Sequence, residues 1–432
     1  MHHTKFAPRI EGSDTMSYDI IDPIIIGRRI FLSRKLQGLS LRSLSRRSGV
    51  SHGYLNRLEK GQVRPSEATL LKVLDALDIK LLQHVKKNAY FDEQVEKFYN
   101  LVMYMQYEEA TSIYHDIIQN HDYYRHSTRF VEYNLFVFIA IVDLRVDFDH
   151  LEEYYHLVTM MEDALNEKQK ELLMIAKAIF LVIEKGLSNA WEFLYKRLDT
   201  LNDEHLKARA YYILGFTLTN DYEYYHKALE YFEGAKERFD RFMNYNRLNR
   251  CKAMEQIIYV FLHQFEDFER SYEETSHFAF TQNNKPLYNF VNVNKARYHI
   301  IQEDYTQALS ILETFDVDIF QYHFYKILSY FRLGRNMEAL REINRFKIKQ
   351  GILVTDIDKK LIEVIEHGLL KGQDDHYLSL CKALLDLAHE ERDFIAIQVG
   401  TILYTEALEA RRHYKEAFHY SDKFLQVLYK IH

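Results

Sequence analysis

Proline is nearly absent from this sequence, with four in 432 residues, and glycine is scarce at 14. Proline breaks helices by losing an N–H and clashing with the turn before it, and glycine weakens them by its backbone freedom. Their scarcity excludes a turn-rich β chain and points to helix nearly throughout. There are two cysteines, Cys251 and Cys381, far apart. They offer no disulfide framework and no metal-ligand spacing, so both are expected as buried thiols in a reducing compartment. No apolar run approaches the about 20 residues of a membrane-spanning helix. The longest, Leu135 to Val142, has eight. No secretory signal is legible, so the expected location is cytoplasmic, with no membrane partner. Phosphate-binding loops, G-x-S-x-G elbows and paired zinc-ligand motifs are also missing. His121-Asp122 is a lone pair with no companions at metal-site spacing. The sequence therefore argues against an enzyme, and it implies no metal and no cofactor.

Aromatic residues are abundant, with 33 Tyr and 28 Phe, so the core and any groove should be rich in rings. Charge is unevenly spread. Residues 24–88 hold 14 Lys/Arg against four Asp/Glu, a surplus of ten, and residues 89–432 hold 40 against 55. A basic head on an acidic body fits a head that meets phosphate and a body that does not. The first 15 residues lack periodicity and read as a leader.

Ser40 to Pro65, SLRSLSRRSGVSHGYLNRLEKGQVRP, reads as two short helices joined at Gly49. Leu41, Leu44, Val50, Leu55 and Leu58 are its apolar positions, and Ser51 suits the N-cap of the second helix. This is the helix-turn-helix pattern, whose second helix enters the DNA major groove. Flanking helices are expected over 24–36 and 66–77. The head thus spans 16–78, and residues 79–90 are expected as a linker helix carrying Lys80, Lys86 and Lys87.

From residue 91 to the end a short pattern recurs, of an aromatic or apolar residue, two polar ones, then Ala or Leu. Its anchors are Ala110, Leu151, Ala190, Ala228, Phe268, Ala308, Ala339, Leu378 and Ala417. Their spacings are 41, 39, 38, 40, 40, 31, 39 and 39. Units this small cannot bury their own apolar faces, so they stack. Ala296 and Ala308, twelve apart, and the Tyr211, Leu214, Gly215 set resemble tetratricopeptide repeats. The expected fold is all-α, a five-helix helix-turn-helix head followed by a right-handed α-solenoid of about nine degenerate repeats.

Residues 26–77 resemble the repressor-like helix-turn-helix family through IGRRIFLSRKLQGLSLRSLSRRSGVS and LNRLEKGQVRPS. That resemblance implies a structural pair, Arg34 with Glu59, tying the first helix to the third. It places His52, Tyr54 and Arg57 toward base edges, where Arg57 suits guanine and Tyr54 a thymine methyl. Gly53 stands where a reading side chain is usual, which hands part of the recognition to DNA shape. Ser40, Arg42, Ser51, Lys60 and Arg64 complete the expected DNA-binding set, chiefly at backbone phosphates.

Such a head on such a body resembles the peptide-pheromone-responsive regulators of the Rgg/NprR/PlcR/PrgX (RRNPP) family, arbitrium receptors included. The resemblance implies a homodimer that binds a double-stranded DNA operator. It also implies a short signalling peptide in the concave groove, clamped by Asn and Arg, whose binding alters dimer geometry. In register, the inner wall should carry Arg209, Tyr212, Phe216, Arg250, Phe290, Asn294, Arg297, Phe324 and Tyr325. Asn246 with Asn249, and Asn289 with Asn292, are spaced to share a face, and an amide can both donate to and accept from a peptide backbone. The second reading is a DNA-tethered scaffold that recruits a protein and takes no small ligand. Phe418, Phe424, Leu425, Leu428 and Tyr429 make the last unit apolar, which suits a dimer contact.

Overall fold

The computed structural model describes residues 22–349 and 354–431. The expected leader lies outside them. Among the described residues the structure is helical apart from one isolated bridge, between Leu82 and Ser127. The chain divides into two compact units, the first ending at Leu206 and the second beginning at Lys207. The head therefore belongs to one unit with the earliest repeats.

The head contains α1 (Pro23–Leu36), α2 (Leu41–Ser48), α3 (His52–Glu59) and α4 (Glu67–Ala76). Each start is set by a side chain that accepts from an otherwise unpaired N–H: Asp22, Ser40, Ser51 and Ser66. Gly49 takes φ 69° and turns the chain between α2 and α3. Ile26, Ile30, Leu44, Leu55, Leu58, Leu70, Val73 and Leu74 form one core. Gly27 lets α1 lie on the end of α3, since a Cβ there would sit 2.3 Å from the Leu58 carbonyl oxygen.

The expected linker helix over 79–90 is not one element. Ile79 to His84 is non-helical, with Leu82 donating to the His126 carbonyl at 2.8 Å and accepting from the Thr128 N–H at 3.1 Å. Lys86 and Lys87 then lie in the first turn of α5 (Val85–Met103), which is the first helix of the first repeat. The head has four helices of its own, and the fifth is shared with the repeats. The junction is tight. Arg29 of α1 donates to the His126 ring nitrogen at 2.9 Å and lies over the Phe130 ring, and Arg28 pairs with Asp163. Burial, aided by Arg125, holds the Arg29 guanidinium down at about 10.

Nine helical hairpins follow among the described residues. In the first unit α5 pairs with α6 (Tyr107–Ile118). After the single turn α7 (His121–Tyr124), α8 (Phe130–Leu144) pairs with α9 (Leu151–Met160), and α10 (Glu167–Glu184) with α11 (Leu187–Tyr195). The next hairpin, α12 (Glu204–Leu218) with α13 (Tyr225–Arg241), straddles the boundary. The second unit continues with α14 (Tyr245–Phe261) and α15 (Phe265–Thr281), α16 (Lys285–Ile301) and α17 (Tyr305–Leu312), and α18 (Phe320–Arg332) and α19 (Asn336–Ile348). It ends with α20 (Asp356–Lys371) and α21 (Asp375–Glu391), then α22 (Phe394–Ala410) and α23 (Tyr414–Ile431).

The sequence anchors sit on the second helices. Ala110, Ala190, Ala228, Phe268, Ala308, Ala339 and Ala417 are each the fourth helical residue and at most 2% exposed. Two anchors differ: Leu151 is buried but opens α9, and Leu378 is the fourth residue of α21 but half-buried, since Tyr377 and Cys381 are buried there instead. The short 31-residue spacing after Ala308 has a visible cause in α17, which is only eight residues long. Gly215 allows close helix contact, since a Cβ there would meet the Phe232 ring at 2.8 Å. Most units lack a turn glycine because Met243, His263, Asn283 and Glu303 take the left-handed conformation instead.

Candidate functional site

In the head, Arg34 and Glu59 are buried and form a two-pronged pair. Arg34 Nε donates to Glu59 Oε1 at 2.6 Å and Nη2 to Oε2 at 2.8 Å. A third donation, from Nη1 to the Leu39 carbonyl at 2.7 Å, ties in the loop before α2. Buried and engaged through three donations, this pair serves the structure and is not presented to a base.

Ser40, Arg42, Ser51, His52, Arg57, Lys60 and Arg64 are exposed, and Gly53 has open space beside it. Ser40 and Ser51 cap their helices through their hydroxyls. Tyr54 is half-buried with its ring packed on the head core, and the Arg57 guanidinium lies 5.9 Å from that ring. Arg57 therefore rests on an aromatic platform while its N–H fork remains presented to solvent. Arg46 and Arg47 of α2 are two further exposed cations that the family pattern had not singled out. They were legible only as basic residues in a short helix.

The second unit holds a cavity of about 320 Å³ walled by the first helices of successive hairpins. Of the residues expected on the inner wall, Phe216, Arg250, Phe290, Asn294, Arg297, Phe324 and Tyr325 line it. Arg209 and Tyr212 lie upstream of Phe216 along α12, Arg209 buried and Tyr212 packed against Phe232. Asn246 and Asn289 precede Arg250 and Val293 by one helical turn on the same stripes. None of Asn246, Asn249, Asn289 and Asn292 lines the cavity itself. Asn249 and Asn292 are each buried and donate to the carbonyl four residues earlier, Tyr245 and Tyr288, and Asn292 also accepts from the Tyr272 hydroxyl. Asn249 and Asn292 are therefore tied to their own helices.

Arg297 is the best-held cation of the cavity. Its Nε donates to the Tyr325 hydroxyl at 2.6 Å and its Nη1 to Asn294 Oδ1 at 2.9 Å. Asn294 is fixed in turn by donating to the Ala253 carbonyl at 2.7 Å. Of five guanidinium N–H groups, three stay available to an acceptor. Arg250 lies 3.9 Å over the Phe290 ring. Across the cavity stand Asp358 and Asp393, neither foreseen from sequence. Both cap helices, Asp358 in a capping box with Thr355 and Asp393 at the start of α22. Burial pushes both carboxyls up, Asp393 to about 6. They reach the middle repeats because the unit closes on itself. Phe394 packs on Phe261 at 4.9 Å, and Arg392 pairs with Asp221 and Glu223. The cavity therefore offers fixed cations and an amide on one wall, carboxyls on another, and rings between them.

A helix-turn-helix family model matches residues 32–83. Comparison with curated proteins gives no match. Among solved structures, a Rap protein complexed with competence and sporulation factor superposes with a TM-score of 0.62 at 13% identity, over 79% of this chain and 98% of that one. NprR in complex with its cognate peptide NprX gives 0.56 at 16%, over 78% and 99%. The apo form of the quorum sensor NprR from B. thuringiensis gives 0.52 at 14%, over 80% and 100%. Identities this low speak for fold. The architecture expected from the RRNPP resemblance, a helix-turn-helix head joined to tetratricopeptide-like repeats, is the architecture of this chain.

Proposed function

We propose that this protein is a cytoplasmic, homodimeric transcriptional regulator whose repeats bind a short signalling peptide. Arg297, held by Asn294 and Tyr325 inside an aromatic-walled cavity, is the observation that carries this reading. A guanidinium fixed with spare N–H groups takes a peptide carbonyl or carboxylate at little entropic cost. Phe216, Phe290, Phe324 and Phe394 supply surfaces for side chains, and Arg250 a second cation. Of the solved structures that share this fold, NprR was solved with its cognate peptide and a Rap protein with competence and sporulation factor.

The heads read two half-sites of a double-stranded operator through His52, Tyr54 and Arg57, with Ser40, Arg42, Lys60 and Arg64 on phosphates. Peptide binding selects a dimer geometry and so sets operator affinity. The test is native mass spectrometry of the protein purified from cells that express the small open reading frames beside its gene. A bound short peptide, lost in an Arg297→Ala variant, supports the reading. A ligand-free protein that co-purifies with a stoichiometric protein partner would replace it with the scaffold.

A further inference from the structure

The first unit contains a cavity of about 330 Å³ that peptide sensing in the second unit leaves unused. It lies between α6, α7, α8 and α9, and its polar groups are of both signs. Arg125 lines one side, its Nη1 3.4 Å from His121 Nε2. His121 accepts or donates at the Tyr133 hydroxyl 2.6 Å away, and burial together with Arg125 lowers its pKa, so the ring stays neutral beside the guanidinium. Asp147 faces the same space and accepts from the Tyr114 hydroxyl. Glu153 is engaged by His150 at 3.2 Å. The ion pairs beside the cavity are Arg129 with Asp92, His150 with Glu153 and His156 with Glu152, and none of these uses Arg125 or Asp147.

The turn after α8 carries Asp147 to the cavity, with Arg145 closing the helix at φ 60° and Asp147 at φ 44°. Tyr154 also lines the cavity, with Arg125, Glu153 and Asp147 as its charged neighbours. Ile118, Val137 and Leu157 provide an apolar patch.

Arg125, Asp147 and Glu153 are solvent-exposed at the cavity. A lone anion would answer Arg125 and a lone cation Asp147, whereas a molecule with both charges answers both at once. The volume is at the small end for ligand pockets, which start near about 300 Å³. We propose that this cavity binds a small zwitterion, a free α-amino acid or a dipeptide, with its carboxylate on Arg125, its ammonium on Asp147 and its side chain on the apolar patch.

The test is titration calorimetry of the full-length protein with the standard amino acids and a dipeptide set. Saturable binding by at least one is expected. Its N-acetylated and C-amidated forms should each bind at least about tenfold more weakly, and Arg125→Gln or Asp147→Asn should cause the same loss with an unchanged circular-dichroism melt. Arg297→Ala in the second unit should leave this binding intact, which separates it from the peptide groove. The proposal is overturned if no member binds at about 10 mM, a ceiling near the weakest useful affinities. It is also overturned if the blocked forms bind as well as the parent, or if inorganic phosphate alone binds the site equally.

Discussion

Arg34 and Arg57 show how two arginines in one small domain carry opposite duties. Arg34 is buried with its partner Glu59, so Arg34→Ala strands a carboxylate in the core. A loss of about 3–5 kcal/mol in head stability is expected, read as faster amide exchange across residues 41–59. Arg57 is exposed, and Arg57→Ala should leave the fold alone. It should cost about 1–3 kcal/mol of operator affinity and relax preference at one base pair, measured by fluorescence anisotropy on a substituted operator set. Lys60→Ala should instead weaken binding to every sequence alike and reduce the salt slope by about one. At Asp393 the folded carboxyl is raised to about 6 from 3.8, so ionisation works against the folded state. The stability it contributes is present below pH 4 and lost as pH rises through 6. Asp393→Asn, which keeps a good cap, should raise the unfolding midpoint at pH 7.5 and flatten its dependence between pH 4 and 7.

Individual helices were legible to different degrees. The four head helices start and stop within a residue of their sequence signals, because Ser40, Ser51 and Ser66 cap them. The repeat period was legible because the buried fourth residue of seven of the nine second helices tolerates few types. What stayed hidden was rotation about a helix axis. Asn249 and Asn292 looked like neighbours of Asn246 and Asn289, yet face the interior, since three and four residues are both close to one turn. The carboxyls of Asp358 and Asp393 were hidden for another reason. They are helix caps of late repeats brought to the middle ones by curvature, which no local spacing encodes. The linker was misread because Ile79 to His84 is apolar enough for a helix, but Leu82 spends its N–H and C=O on His126 and Thr128. On α23, Tyr414, Phe418, Leu425 and Tyr429 are 62%, 74%, 49% and 82% exposed at spacings of four, seven and four. A helical stripe of that kind on a terminal repeat is uncovered in the single chain. Phe418→Glu with Tyr429→Glu should convert a dimer to a monomer by analytical ultracentrifugation, while each monomer keeps its far-ultraviolet helix signal.

At the scale of the molecule, charge is partitioned as the proposed operator reading requires, with a surplus of ten cations over 24–88 and an excess of anions beyond. Operator binding should therefore fall steeply with salt, whereas peptide binding, dominated by one held guanidinium and apolar walls, should fall little. Hydrogen exchange on adding the cognate peptide should slow in α14, α16, α18 and the start of α22. Exchange unchanged in all four would sink peptide sensing in the second unit.

The junction of head and repeats bears on how such proteins diversify. Arg29 has His126 and Phe130 as its seat, Arg28 has Asp163, and Leu82 has the backbone of residues 126 and 128. The reading head is thus not a cassette. Moved onto another repeat body, it would leave two arginines and a strand-like segment without counterparts, and the recipient would lose the surface that orients it. Lineages that exchange operator specificity must either inherit the head together with its first two hairpins, or rewrite the recognition helix in place.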